Sequence, residues 1–224
     1  MLYQHIVYTL AILSFLLVSF CKPPTLPNPY RKVYQTSPTS KAENYKLAPN
    51  WTDRIHPLEG IHLKYARRMN EIDKFREVPQ PSKRTEEMRK EVLALSKTFT
   101  PKIQELINKH VYGIYFCEQL GSTGLTGYIF SKGKPAGGFV ILDTNMINKP
   151  ANDWISDKEN TVFKKSESYS LRMEIEYEKS NTPLNTMRYI FLHELGHILG
   201  VVREDTPKVL ASEPSMLLIS VKGG

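Results

Sequence analysis

The chain has 224 residues, of which 41% are hydrophobic and 24% are charged, and this usage is that of an ordinary globular protein. It excludes a collagenous chain, a wholly disordered chain and a polytopic membrane protein. Two cysteines exclude a disulfide-rich scaffold and a four-cysteine zinc site. The net charge of +7 arises in the first half. Residues 22–60 carry six basic and three acidic side chains, residues 61–110 carry twelve and seven, and residues 111–224 carry twelve and thirteen. Basic side chains mixed with acidic ones favour solvated helix faces over a nucleic-acid-binding surface.

The first 21 residues resemble a targeting segment. The apolar run from Ile6 to Phe20 has no charged side chain, is short for a transmembrane span and has the length of a signal-peptide core. It ends in VSFC, which resembles a bacterial lipoprotein cleavage site and implies a lipid anchor on Cys21; an uncleaved anchor and a plain secretory signal are the alternatives. Residues 22–56 contain six prolines and predict an extended tether that buries little apolar surface. The sequence thus predicts a domain over residues 57–224, located in the cell envelope or outside the cell and held at a membrane surface.

The body of the chain predicts helices, then strands, then one further helix. Apolar side chains recur at helical spacing in three segments, and they alternate with polar ones or form short β-branched runs in four others. We predict helices over residues 61–77, 85–97 and 102–109, strands over 111–117, 124–131, 138–143 and 171–178, a turn over 134–137, and a last helix over 186–199 capped by Asn185 or Thr186. This order predicts an α+β fold with N-terminal helices and a small mixed β-sheet.

Three ionisable side chains interrupt the last predicted helix, which is otherwise almost wholly apolar. Such a helix is normally buried, and buried ionisable groups are costly unless they have a partner. His193, Glu194 and His197 belong to the sequence HELGH, in which the two histidines lie one helical turn apart on one face. Both imidazoles can therefore reach one zinc ion, whereas Glu194, rotated by about 100° around the helix, can act as the general base on metal-activated water. The spacing predicts a zinc site that hydrolyses peptide bonds.

The segment FLHELGHILG, residues 191–200, resembles the active-site helix of the zincin metallopeptidases. Gly200 further resembles the glycine of the metzincin form HExxHxxGxxH. The resemblance implies a zincin-like fold with a buried active-site helix, a peptide or protein substrate, and an edge strand that pairs with extended substrate. The segment 138–143 is our candidate for that strand.

The metzincin pattern places a third metal ligand at position 203, where this chain has arginine. Arginine cannot bind zinc, since its guanidinium group offers no acceptor. Asp205 is favoured over Glu204 as the third ligand, and Glu213 would make the site similar to the zincins that use a later glutamate. In the expected site, Glu194 is the catalytic base. The three zinc ligands are His193, His197 and Asp205.

Two other functions are consistent with the sequence. A degenerate zincin would act as a non-catalytic surface-binding lipoprotein, and the arginine at position 203 favours this alternative. A basic envelope protein would contact nucleic acid or anionic lipid through residues 61–110, but no arginine-rich block or basic–aromatic pattern supports a nucleic-acid partner. We expect the remaining histidines to be surface or leader residues: His5, His56, His62 and His110. We expect the second cysteine, Cys117, to be a small buried side chain.

Overall fold

The computed structural model describes residues 28–161 and 171–203, in which six α-helices and five β-strands form a mixed α+β fold. The helices are α1 (Arg31–Thr36), α2 (Gly60–Asp73), α3 (Thr85–Ser96), α4 (Pro101–His110), α5 (Ala151–Asn160) and α6 (Pro183–Val202). The strands are β1 (Ile55–Pro57), β2 (Gln80–Pro81), β3 (Val111–Glu118), β4 (Gly124–Ser131) and β5 (Lys134–Asp143). Within these two ranges, no helix is both long and apolar enough to cross a membrane. The signal segment predicted from the sequence, including Cys21, lies outside the described residues.

The sheet is mixed and has β4 at one edge. β1, β3 and β5 are parallel, β4 pairs antiparallel with β5, and the short β2 pairs with one end of β3. The segment 138–143 belongs to β5 and lies inside the sheet, so its predicted edge position is wrong. The turn predicted over 134–137 is also wrong, because Lys132 and Gly133 adopt positive φ angles and form a two-residue hairpin turn just before β5 begins.

Both faces of the central strands are buried, so the sheet separates two hydrophobic cores. In β3, Ile114 and Phe116 belong to the first core, whereas Tyr115 and Cys117 belong to the second. The first core is covered by α3, α4, α5 and α6, and the second mainly by α1 and α2. Strands that are covered on both faces are near-continuous apolar runs, which is why β3 and β5 are recognisable from the sequence.

Residues 28–56 pack on the domain, so the prediction of an extended tether is wrong for this part of the chain. Val33 and Tyr34 of α1 are buried in the second core, and Trp51 is buried in the first. The segment has few apolar residues, but several are large aromatic side chains, each of which buries a large area. Proline starts a local turn here rather than an extended run, since Pro38 opens a short 3₁₀-helix.

The segment 171–178, predicted as a strand, is not one. It runs beside α5, whose polar side chains take the place of sheet hydrogen bonds. Asn152, Ser156 and Asn160, spaced by one helical turn, accept hydrogen bonds from backbone N–H groups of this segment at 2.8–3.0 Å. Two apolar side chains of the alternating pattern still pack against the first core: Met173 and Ile175.

Helix boundaries differ from the predicted ones where capping decides them. α6 begins at Pro183, three residues earlier than predicted, because the Thr182 hydroxyl accepts a hydrogen bond from the Asn185 N–H at 3.3 Å and proline suits a first turn. The predicted caps therefore lie inside the helix, and Thr186 instead donates to the Lys149 carbonyl at 2.5 Å. α2 ends four residues earlier than predicted, at a residue in the left-handed conformation.

Burial confirms the prediction for Cys117 and overturns the one for His62. Cys117 is fully buried, whereas His62, expected on the surface, is only 8% exposed. Its ring stacks on Tyr115 with centroids 3.9 Å apart and meets the edge of Phe139 at 4.9 Å, while Nε2 lies 2.9 Å from the Tyr45 hydroxyl. Burial lowers the pKa of His62 to about 4, because the charged imidazolium is poorly solvated in this aromatic setting.

We expect His62 to make the protein sensitive to mild acid. Its pKa is lower in the folded than in the unfolded state. The neutral side chain therefore contributes fully to the stability of the fold above pH 6.5, and this contribution is lost as the pH falls towards 4. The free energy of unfolding should decrease by about 3 kcal/mol from this group alone. Urea unfolding at pH 7, 5.5 and 4 should show a weaker decrease in His62→Gln, which keeps a donor for Tyr45. An equal decrease in both proteins would contradict this prediction.

Candidate metal centre

Helix α6 carries the HELGH sequence and packs tightly against the first core. Phe191 stacks on Trp51 and on Phe99, with ring centroids 5.8 and 6.0 Å apart. Gly138 of β5 permits a close approach of helix and sheet, since a Cβ there would lie 2.8 Å from Cγ1 of Ile198. These contacts fix the rotation of α6 about its axis and decide which of its side chains face the sheet.

The two histidines of the motif converge on a common point. Nε2 of His193 and Nε2 of His197 lie 3.1 Å apart, and the ring planes are nearly perpendicular, at 89°. His193 is exposed and His197 is partly buried. Two nitrogen ligands at about 2.0–2.1 Å from a tetrahedral zinc ion are separated by about 3.3 Å. The pair therefore fits one zinc ion as two of its ligands.

Both imidazoles favour the neutral form. Burial lowers the pKa of His193, and the positive charge of Lys158 lowers it further. Burial also lowers the pKa of His197, with a smaller contribution from His193. Neutral imidazole is the form that binds metal, so the pair can take up a divalent cation at neutral pH without first losing protons.

Glu194 points away from solvent, towards the edge of the sheet. It is 7% exposed, and its Oε2 accepts a hydrogen bond from the Thr126 hydroxyl of β4 at 2.5 Å. The same hydroxyl lies 3.3 Å from the Glu194 carbonyl oxygen. Among the residues that the structure describes, none donates a hydrogen bond to Oε1. One carboxylate oxygen is thus fixed by β4, and the other is left for a ligand or for water.

Gly124 of β4 makes room for this carboxylate. A Cβ at this position would lie 2.7 Å from Oε1 of Glu194. Burial raises the pKa of Glu194 to about 7, while the hydrogen bond from Thr126 and the charge of Lys158 act in the opposite direction. A carboxyl group that titrates near neutral pH can both accept a proton and give it back.

Three side chains border the histidine pair on the side of α5. Trp154 is buried, and its Nε1 donates to the Thr123 hydroxyl at 3.1 Å. Its ring centroid lies 5.5 Å from that of Tyr189, which is 46% exposed and one helical turn before His193. Lys158 places its Nζ atom 5.6 Å from the centroid of the Trp154 ring. An aromatic and cationic surface therefore lies next to the site.

The structure brings together part of the predicted site. Asp205, Glu204 and Glu213 lie outside the described residues; α6 ends at Val202, and Arg203 is its C-cap. Within residues 28–161 and 171–203, no three His, Cys, Asp or Glu side chains lie close enough to hold a metal ion. The two histidines converge, the Glu194 side chain of the same helix is directed towards β4, and the choice of Asp205 stays a prediction.

The sequence analysis missed the residues that surround the motif. Gly124 carried a usable signal, because a glycine inside a strand often marks a close approach by another element. Thr126 and Lys158 carried none, since their proximity to α6 depends on the order of the strands and on α5, which was not predicted. His56 is exposed, as expected, whereas His110 is only partly exposed. Among the described residues, neither belongs to a group of three metal-binding side chains.

No family model matches the chain, and no curated protein or solved structure is found to be similar to it. The interpretation of the site therefore depends on the geometry of the residues that form it. The zincin resemblance is carried by residues 191–200 of α6.

We expect the metal-free protein to become more stable in Glu194→Gln. The pKa of Glu194 is raised by burial, so as pH rises from about 4.5 through 7 the unfolded state loses this proton first and stability decreases. At pH 8 the buried ionised carboxylate lowers the free energy of unfolding by about 3 kcal/mol. Glutamine carries no charge and avoids this loss, and its amide oxygen still accepts the hydrogen bond from Thr126. Chemical denaturation should show a clear gain at pH 8 and little difference near pH 5. A variant that is less stable at pH 8 would contradict this expectation.

Proposed function

We propose that the chain is a zinc-dependent endopeptidase whose site lies between α6 and the edge strand β4. The observation that carries the proposal is the 3.1 Å separation of the His193 and His197 Nε2 atoms, on the same helix as the buried carboxylate of Glu194. Two neutral imidazoles and a carboxyl group with a pKa near 7 are the groups that metal-assisted hydrolysis requires.

His193 and His197 would hold the zinc ion. We propose Asp205 as the third ligand, because a carboxylate is a zinc donor and this one follows the end of α6 after two residues. When bound, zinc supplies a Lewis acid that polarises the peptide carbonyl group and lowers the pKa of water.

Glu194 would move the proton. Thr126 occupies Oε2, which leaves Oε1 to accept a proton from the attacking water and to pass it to the leaving amine. A carboxyl group with a pKa near 7 suits both transfers, since neither the protonated nor the ionised form is strongly disfavoured at neutral pH. The hydrogen bond from Thr126 holds the carboxyl group in one orientation during both steps.

β4 is the strand on which an extended substrate can pair. In the part of the chain that the structure describes, its outer edge makes only an isolated bridge, between Phe130 and Lys41. The opposite end of the strand, at Gly124 and Thr126, lies against Glu194. A peptide added to this end would bring its backbone carbonyl groups close to the carboxylate and to the histidine pair.

We further propose that the enzyme works in the cell envelope or outside the cell, anchored through a lipid on Cys21. This proposal is supported by the resemblance of residues 1–21 to a lipoprotein signal. The substrate is proposed to be a peptide or protein and not nucleic acid, since residues 111–224, which contain the site, have one more acidic than basic side chain.

The second candidate is a degenerate zincin that binds peptides without cleaving them. One observation favours it: within the described ranges only two metal-binding side chains converge, and no group of three is formed. Such a protein would use the open edge of β4 for binding and would need no metal. Zinc content and peptide hydrolysis distinguish the two candidates.

We expect the purified protein to contain about one zinc ion per chain and to cleave a quenched fluorescent peptide library. Glu194→Ala should retain zinc and lose at least 100-fold in hydrolysis, because the general base is removed while both histidines stay. His193→Ala should lose both zinc and hydrolysis. Elemental analysis by mass spectrometry and fluorescence assays measure the two quantities. A wild-type protein without zinc, whose stability is unchanged in His193→Ala, would support the degenerate zincin.

Two matched controls accompany this experiment. His56→Ala removes an exposed histidine outside the motif and should change neither zinc content nor hydrolysis. Asp205→Asn should weaken zinc binding at least 100-fold. Removing a residue that only orients a ligand lowers metal affinity by 10- to 100-fold, and removing a ligand itself should lower it at least as much. Glu204→Gln is the paired carboxylate-to-amide change and should retain zinc; the reverse result would make Glu204 the ligand.

We expect Gly124→Ala to reduce hydrolysis while the fold stays stable. The added Cβ would meet Oε1 of Glu194 at 2.7 Å, and the end of a flexible side chain can move away at low cost. A displacement of about 1 Å lowers the rate by roughly 100-fold. Gly196→Ala is the matched control, because a Cβ there meets no atom within 4 Å. The rate constant and the unfolding midpoint of both variants test this, and an unchanged rate in Gly124→Ala would contradict it.

A further inference from the structure

A cationic and aromatic surface borders the histidine pair, formed by the exposed side chains of Lys158 and Tyr189 over the buried ring of Trp154. The Nζ atom of Lys158 lies over the Trp154 ring at 5.6 Å, and the Trp154 and Tyr189 rings are 5.5 Å apart. Lys158 and Tyr189 are both exposed, and Tyr189 precedes His193 by one turn of α6. The surface and the site are therefore continuous on the solvent side.

Among the described residues, Lys158 has no ion-pair partner, in contrast to two neighbouring basic side chains. Lys149 forms an ion pair with Asp157 at 2.5 Å, and Arg188 forms one with Glu176 at 2.9 Å. For Lys158, no carboxylate in residues 28–161 or 171–203 lies within ion-pair distance. An exposed ammonium group without a carboxylate partner attracts anionic groups by its charge, and no ion pair has to be broken first.

The surface lies at the end of β4 where the carboxylate of Glu194 is held. Trp154 donates to the hydroxyl of Thr123, the residue before β4 begins at Gly124. Antiparallel pairing is slightly more stable per residue than parallel pairing. A peptide paired with β4 in this orientation runs with its C-terminal part towards Thr123. The residues that follow the cleaved bond would therefore reach this surface.

We propose that Trp154, Lys158 and Tyr189 form a subsite for an acidic side chain of the substrate, at the residue immediately C-terminal to the cleaved bond. Lys158 supplies the charge, the Trp154 ring holds the ammonium group in place, and the Tyr189 hydroxyl offers a further donor. The substrates are thus peptides with aspartate or glutamate at this position. The inference rests on the proposed peptidase function, which it makes more specific.

Three matched peptides test the subsite by hydrolysis. They differ only at the residue after the cleaved bond, which is glutamate, glutamine or lysine. The wild-type protein should cleave the glutamate peptide about threefold faster in kcat/KM than the glutamine peptide, and the lysine peptide most slowly. Lys158→Glu should reverse this order. Lys64→Glu makes the same change of charge on α2, across the sheet, and should keep the wild-type order.

Binding tests the subsite without turnover. Fluorescein-labelled forms of the three peptides are titrated with zinc-loaded Glu194→Gln, with and without Lys158→Glu, and fluorescence anisotropy gives Kd. The glutamate peptide should bind about threefold more tightly than the glutamine peptide, and Lys158→Glu should abolish the difference. Acid-selective binding without any hydrolysis by the wild type supports the subsite and overturns the peptidase function. Equal binding of all three peptides, or a preference that survives Lys158→Glu, overturns the subsite even where hydrolysis is observed.

Discussion

The candidate site depends on one carboxylate that is buried between a helix and the edge of a sheet. Glu194 lies inside the contact between α6 and β4, where an ionised group is poorly solvated. The hydroxyl of Thr126 compensates for part of the lost solvation. Gly124 makes this position sterically possible, because any larger residue would occupy the space of Oε1. The arrangement costs stability and serves no purpose in a helix that merely packs on a sheet. This cost is the physical reason to attribute a function to the contact.

The rotation of α6 separates the two kinds of group that the site needs. Residues 193 and 197 share one face and reach solvent, whereas residue 194, about 100° further round, faces the sheet. The aromatic contacts of Phe191 and the close approach at Gly138 hold this rotation, so the large first core orients side chains that are not part of it. Rigid support of this kind keeps catalytic groups in position more accurately than a loop can.

The sequence predicted the fold best where burial determines the residue pattern directly. β4 has the predicted bounds, and β3 and β5 were recognisable because both of their faces are covered. For residues 171–178 the alternation correctly indicated that Met173 and Ile175 face the core, but it was wrong for Leu171 and Tyr177, which are exposed. It also cannot tell whether backbone N–H groups bond to a strand or to side chains such as Asn152. α5 was missed because it is rich in polar residues, and those same polar residues hold this neighbouring segment. Residues 28–56 were misjudged because a few large side chains, such as Trp51, provide burial that proline content does not indicate.

Some features of the candidate site depend on local sequence and others on contacts between distant parts of the chain, and only the former could be predicted. The convergence of the two imidazoles follows from an i, i+4 spacing on a helix, so the sequence sufficed to predict it. The environment of Glu194 follows from strand order, which no local pattern specifies. The sequence suggested that the segment 138–143 is the edge strand. In that arrangement a peptide would pair with β5 directly, and the strand that holds the Glu194 carboxylate through Thr126 would not have an open edge. The hairpin that places β4 outside β5 therefore connects the face of α6 that carries the two histidines to the proposed peptide-binding edge of the sheet.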